Sequence, residues 1–283
     1  MLDQLRLSFP KLRPVSYSYV GGGSIASAGR VVFADDSVCF VKRYADPLPA
    51  EAEKAGLTAL AAVGKVRVPK VIDSGGGFLL LEWIEPGRGK GNQESALGRA
   101  LARHHLTAVG EAFGFETDNF IGATPQFNTP ATDKARTDWP EFFGQNRIMP
   151  QAKMALNAGL ITTDIFKKCE ALSNRLPGLL PAGKPCLLHG DLWAGNWLTS
   201  AIGEPALIDP GVYRGHPEAD LAMTRMFGGF DPDFYRAYFE INPAQPGQEE
   251  RVPLLNLYHY LNHLNLFGQS YQNTVTSILN RYT

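Results

Sequence analysis

Three oxygen-bearing side chains lie close together in this chain. Asp191 and Asn196 fall in the run His189-Gly190-Asp191-Leu192-Trp193-Ala194-Gly195-Asn196, and Asp209 follows the apolar run Ala206-Leu207-Ile208. That run and Cys186-Leu187-Leu188 read as buried strands, which predicts that Asp191 and Asp209 leave the ends of adjacent short strands. Two carboxylates and an amide carbonyl suit phosphoryl transfer. A nucleotide triphosphate brings several negative charges, and its transferring group spreads more over the oxygens in the transition state. Magnesium neutralises such charge through hard oxygen ligands, of which a protein usually supplies one or two. Asn196 and Asp209 fit that role, and Asp191 is left to orient and deprotonate an alcohol. The plainer alternative, Asp191 as a turn residue in a Gly-rich loop, does not account for a second Asp after an apolar strand.

Asn196 follows Asp191 by five positions, the spacing of the kinase catalytic loop H-R-D-x-x-x-x-N. Gly190 replaces the arginine of protein kinases, which points to a small-molecule acceptor. The preceding elements fit the same scheme. Residues 15–20 alternate at period two, run into Gly21-Gly22-Gly23-Ser24, and residues 30–34 resume as a strand. Such a loop aims backbone amides at phosphate oxygens, although by itself Gly21-Gly22-Gly23-Ser24 is more often only a hairpin turn. Lys42 closes the apolar strand 38–42, where a lysine would contact the α- and β-phosphates, held by a glutamate from the next helix. Residues 49–63 read as that helix; Glu53 shares the face of Leu57, whereas Glu51 turns away.

Residues 68–72 and 78–81 complete a five-stranded antiparallel sheet. The polar, Pro/Gly-containing stretch from Glu82 through Ile84 to Gly87 reads as the link to a second lobe, facing an adenine ring through backbone groups. The expected boundaries are residues 1–83 for a nucleotide-binding lobe and 84–283 for a mainly helical catalytic lobe. There, residues 94–109 read as a helix, and its adjacent His104 and His105 lack the spacing of a metal pair. Residues 115–140 form a long polar loop of the kind that carries function. Asp220 opens a helix, where an N-cap is its simplest role.

The 283 residues are 44% hydrophobic, enough for a sizeable core in one large domain or two lobes. With 27 basic and 28 acidic residues, no broad nucleic-acid or membrane surface is expected. Cys39, Cys169 and Cys186 are scattered and read as reduced core cysteines. Without a signal-peptide or transmembrane run, the cytoplasm and a monomer are the expectations.

With these residues in place, the chain resembles the fructosamine kinase (ketosamine 3-kinase) family, within the aminoglycoside phosphotransferase and choline kinase-like group. The resemblance rests on His189-Gly190-Asp191-Leu192-Trp193-Ala194-Gly195-Asn196, on Asp209-Pro210, and on the segment from Tyr213-Arg214-Gly215-His216-Pro217-Glu218 to Asp220-Leu221-Ala222-Met223. It continues through Asp118-Asn119-Phe120-Ile121-Gly122, Gln126-Phe127-Asn128-Thr129 and Asp138-Trp139-Pro140-Glu141-Phe142-Phe143, in the family's order.

The resemblance implies an α+β, two-lobed protein kinase-like fold: a small lobe of five strands and one helix, and a larger helical lobe. It implies ATP- and Mg2+-dependent phosphorylation of the 3-hydroxyl of small or protein-bound ketosamines, which destabilises the adduct. It makes Asp191 the base, Asn196 and Asp209 the metal ligands, and Lys42 with Glu53 the phosphate anchor. Gly22, Gly23, Ser24, Glu82 and Ile84 become nucleotide contacts. Trp193, His216 and Glu218 become sugar-pocket candidates, and His189 and Asp220 structural supports. The chain departs from the pattern at Ala26 and Gly29, where the family has Asn and Tyr. Two other readings remain: a kinase of another small alcohol, of the aminoglycoside, choline or homoserine type, and a pseudokinase that binds nucleotide without turnover.

Overall fold

The structure, a computed structural model, describes residues 1–21, 26–88 and 91–283; the expected contacts at Gly22, Gly23 and Ser24 lie outside that set. The N-terminal part comprises α1 (Leu2–Ser8), β1 (Pro14–Tyr19), β2 (Ser27–Phe33), β3 (Val38–Arg43), α2 (Pro47–Val63), β4 (Val71–Gly75) and β5 (Phe78–Glu82). The strands form one antiparallel sheet in the order β1-β2-β3-β5-β4. Period-two alternation along β3 assigns its side chains to two faces. Cys39 and Val41 join Leu5 and Phe9 of the N-terminal segment in one cluster, while Phe40 packs into another with α2.

Helix α2 starts at Asp46, whose side chain accepts the Leu48 N–H, and stops at Gly64, which turns left-handed at φ 67°. Its inner stripe is Ala50, Glu53, Gly56, Leu57 and Leu60. The apolar members share a core with Leu79 and Leu81 of the sheet and with Leu187, Leu207 and Val212 from the C-terminal part. The helix that carries Glu53 is therefore packed against both lobes at once.

The C-terminal part runs α3 (Gln93–Thr107), a hairpin of β6 (Asn119–Ile121) and β7 (Thr124–Gln126), α4 (Trp139–Phe142), α5 (Met149–Asn157) and α6 (Thr163–Arg175). The short strands β8 (Cys186–Leu188), β9 (Trp197–Thr199), β10 (Pro205–Leu207) and β11 (Tyr213–Gly215) follow, then α7 (Glu218–Met223), α8 (Pro232–Phe239), α9 (Gln248–Phe267) and α10 (Gln272–Tyr282). Its main core gathers Trp139, Phe142 and Phe143 against Leu254, Leu257 and Leu261 of α9.

This is the expected two-lobed α+β architecture, with four differences. The N-terminal part has two helices: α1 buries only Leu5, too little apolar periodicity to register in the sequence. Strand β4 begins at Val71, because Pro69 lacks an N–H for a ladder and Val68 packs into the core with Val66. The polar stretch 115–140 is not structureless but contains the β6–β7 hairpin. Strands β8 and β10 are not partners of each other; β8 pairs with β11 and β10 with β9.

Two core histidines make stability pH-dependent. Burial, with the neighbouring His105, pushes His104 down to about 4; burial, with the neighbouring His263, pushes His259 down to about 3. Below pH 6.5 the unfolded chain takes up protons at these positions that the folded chain refuses, so stability present at pH 7 is lost toward pH 4. At pH 5 each histidine costs about 2 kcal/mol. Urea titrations at pH 7 and pH 5 should show this loss, and His259→Gln should reduce the difference by about 2 kcal/mol; an unchanged difference would contradict the assignment.

Candidate active site

Lys42 lies on β3 with its side chain on the α2 face, 7% exposed. Its Nζ is 2.8 Å from Glu53 Oε1 and 2.5 Å from Asp209 Oδ1. Burial works against the charged ammonium, but the carboxylates of Glu53 and Asp209 outweigh it and hold the lysine protonated, above its ordinary value. The second Glu53 oxygen accepts from the Tyr44 hydroxyl. Tyr44 was not singled out in the sequence, although period two places it on the same strand face as Lys42.

Asp209 reaches Lys42 from beyond β10, with its backbone at φ 54°. A non-glycine residue in this left-handed region stores about 1–3 kcal/mol of strain, which the surrounding structure must sustain. Two hydrogen bonds tie its loop to the catalytic loop: Ile208 N–H to Asn196 O at 3.0 Å, and Gly211 N–H to His189 O at 2.9 Å. His189 adds a third, from Nε2 to Ile208 O at 2.9 Å, while its Nδ1 accepts the Asp191 N–H at 3.3 Å. The expected supporting part for His189 is thus a clasp between the two loops.

Asn196 donates its amide Nδ2 to Asp191 O at 2.8 Å and to Asp191 Oδ2 at 3.0 Å. A third bond, to Asp209 O at 3.5 Å, is also on nitrogen, so among the described residues Oδ1 has no partner and is available as a ligand. Asp209 Oδ2 is in the same position, since Lys42 takes Oδ1. One amide and one carboxylate oxygen are hard donors of the kind magnesium prefers. Asp191 is pushed up to about 7: burial dominates, the Asn196 hydrogen bond opposes it, and the carboxylates of Asp209 and Asp220 add to it. A carboxylate of that proton affinity is suited to taking a hydroxyl proton near neutral pH.

Asp220 is not an N-cap. It lies inside α7, whose first turn it shares with Glu218, and it accepts the backbone N–H of His189 and of Gly190, each at 2.8 Å. The long polar stretch contributes as well: Gln126 donates to Gly211 O at 2.9 Å and Asn119 to Val212 O at 2.7 Å, bracing the Asp209 loop. Trp193 is half-buried on the catalytic loop, its ring lying across Gly195 and edge-on to Phe227 at 5.9 Å.

His216 and Glu218 do not join this cluster. Antiparallel pairing sets Tyr213 beside Leu188 and Gly215 beside Cys186, so the chain reaches His216 at the end of β8 away from Asp191. There the Glu218 oxygens are 2.5 and 2.7 Å from the Arg251 guanidinium, and both residues line a separate cavity of about 260 Å³. The sugar-pocket expectation for these two is corrected accordingly. Glu82 ends β5, its side chain taken by Arg67 and by the Lys70 N–H, and Ile84 just beyond it is buried.

A fructosamine kinase family model matches residues 7–283. The chain belongs to the fructosamine kinase family. It is 41% identical over 275 residues to the chloroplastic protein-ribulosamine 3-kinase of Oryza sativa subsp. japonica, covering 94% of this chain and 78% of the relative. It is 34% identical to the ketosamine-3-kinase of Mus musculus, covering 91% and 92%. A crystal structure of a candidate fructosamine-3-kinase from Thermobifida fusca superimposes with a TM-score of 0.86 at 31% identity, covering 99% and 97%. Gly29 is sterically constrained. A Cβ there would meet the Tyr17 ring at 2.2 Å, so an aromatic ring from β1 occupies the space that a side chain at 29 would need.

Gly190 is equally constrained. Its φ is 81°, and a Cβ would fall 2.0 Å from Gly211 O. Gly190→Ala should cost about 2–4 kcal/mol and displace Asp191, lowering turnover at least tenfold. Thermal melts and initial rates would check this; a fully active, equally stable variant would refute the loop geometry.

Proposed function

We propose that this fructosamine kinase family member transfers the γ-phosphoryl group of ATP to the 3-hydroxyl of a ketosamine, a sugar adduct of an amine or a protein lysine. The reading is carried by one observation: Lys42, Asp191, Asn196 and Asp209 are brought together from β3 and two clasped loops. The names of the rice and mouse relatives support the acceptor class.

In this reading Lys42, held by Glu53 and Tyr44, places its ammonium against the α- and β-phosphates. Backbone groups of the link at Glu82 and Ile84 face the adenine. Asn196 Oδ1 and the Asp209 carboxylate would hold Mg2+, which would neutralise charge on the transferring phosphoryl group. Asp191 accepts the proton of the 3-hydroxyl as its oxygen bonds to the γ-phosphorus, the bond to the β-phosphate oxygen breaks, and ADP departs. Trp193 sits two residues beyond the base and forms one wall of the sugar site.

A substrate panel tests the proposal. With ATP and Mg2+, ribulosyl-lysine or fructosyl-lysine should be phosphorylated and choline and kanamycin left unchanged. Turnover of choline or kanamycin alone would assign another acceptor, and nucleotide binding without any turnover would assign a pseudokinase. Two variants test the residues. Asp191→Asn should reduce turnover by about 10^2 to 10^4 while nucleotide still binds, and Asp209→Ala should weaken binding of the Mg2+–nucleotide complex itself. Near-normal rates in either would overturn the assignments.

A further inference from the structure

Asp220 is 1% exposed, and its carboxylate carries the catalytic loop: Oδ1 accepts from Gly190 N–H and Oδ2 from His189 N–H. A neutral carboxylic acid could not accept from both amides as well, because one oxygen would carry its own proton. The loop therefore needs a device that keeps this buried charge ionised. That device comes from the two adjacent histidines at the end of α3, which lack the spacing for a metal.

His105 Nε2 lies 3.2 Å from Asp220 Oδ2, and its Nδ1 lies 2.8 Å from the Tyr238 hydroxyl. The Tyr238 oxygen also accepts from Asn242 Nδ2 at 3.0 Å. A hydroxyl proton donated to Nδ1 fixes the neutral ring as the tautomer with its proton on Nε2, which then donates to Asp220. The donors form a chain directed inward from Asn242 on the rim to Asp220, which the backbone N–H groups before Asp191 meet from the other side. His104 acts in parallel, with Nε2 2.8 Å from Leu187 O in the strand that leads into the loop. Burial raises the Asp220 carboxyl, but the hydrogen bond from His105 leads the interactions that outweigh it, leaving the group below its ordinary range.

We propose that His105, oriented by Tyr238, is a positioning residue of the phosphotransfer reaction: through Asp220 it sets the backbone that aims Asp191. It touches neither nucleotide nor sugar. Its effect should therefore fall on turnover and leave substrate affinity nearly unchanged, because a displacement of about 1 Å at the base costs about 100-fold in rate.

The test uses the full-length protein. His105→Leu removes the donor, His105→Gln can restore one, and Tyr238→Phe deletes only the hydroxyl. For His105→Leu, kcat per folded molecule should fall 30- to 100-fold, with KM for ribulosyl-lysine and the nucleotide Kd within about threefold. His105→Gln should recover at least a third of the lost activity on a logarithmic scale, and Tyr238→Phe should lose three- to tenfold in kcat. If His105→Leu does not fold, the Tyr238→Phe result decides.

The kinetic arm rests on the ketosamine kinase reading; a second arm does not. In Tyr238→Phe, and in His105→Leu where folded, amide hydrogen exchange at His189 and Gly190 should accelerate at least tenfold, with exchange in β2 and β3 unchanged. A wild type inactive on every ketosamine, together with local acceleration, would refute the acceptor assignment and keep the positioning role. Unchanged exchange, or an unchanged kcat in an active enzyme, would overturn the positioning role.

Discussion

The ammonium of Lys42 is the interaction on which the rest of the structure depends. It is buried, bound to Glu53 from the same lobe and to Asp209 from the other, and among the described residues no second cation shares either contact. Removing a partner from a buried ion pair typically costs 3–5 kcal/mol, because the remaining charge has no water to turn to. The pairing therefore holds only when β3, α2 and the Asp209 loop are all in register. The shared apolar core of α2 with Leu187, Leu207 and Val212 keeps them there. Lobe packing and site assembly are consequences of the same contacts.

Three aspartates behind that lysine show how environment divides one side-chain type into separate duties. Asp209 faces the ammonium and retains a free oxygen. Asp191 is half-buried near other carboxylates and has an elevated proton affinity. Asp220, the most enclosed, remains ionised because donors surround it. The positive φ of Asp209 and of Gly190 belongs to the same arrangement: two loops are pressed so closely that only strained or side-chain-free backbone fits.

Much of this was legible in the sequence, for identifiable reasons. The five strands and the helix bearing Glu53 followed from period-two and period-3.6 patterning, whereas Asp220 read locally as an N-cap and its hold on the catalytic loop was implied only by the family resemblance. What escaped were contacts across long separations. His105 to Asp220 and Gln126 to Gly211 have no local signature. Tyr44 could have been found from its strand period, but its carboxylate partner could not. His216 and Glu218 were misplaced because proximity to the catalytic motif in sequence suggested proximity in space. Antiparallel pairing of β11 with β8 carries them to the opposite end. Helix α1 buries a single leucine and offered no pattern to read.

The central claim, that three oxygen-bearing side chains converge with Lys42 on a metal-bound triphosphate and an attacking sugar alcohol, is tested most directly by a crystal structure of the ternary complex. The protein would be crystallised with Mg2+, a non-hydrolysable ATP analogue and a ribulosamine. Magnesium should lie about 2.1 Å from Asn196 Oδ1 and an Asp209 oxygen, and an Asp191 oxygen about 3 Å from the sugar 3-hydroxyl. Magnesium held without Asn196 and Asp209, or a 3-hydroxyl turned away from Asp191, would contradict it.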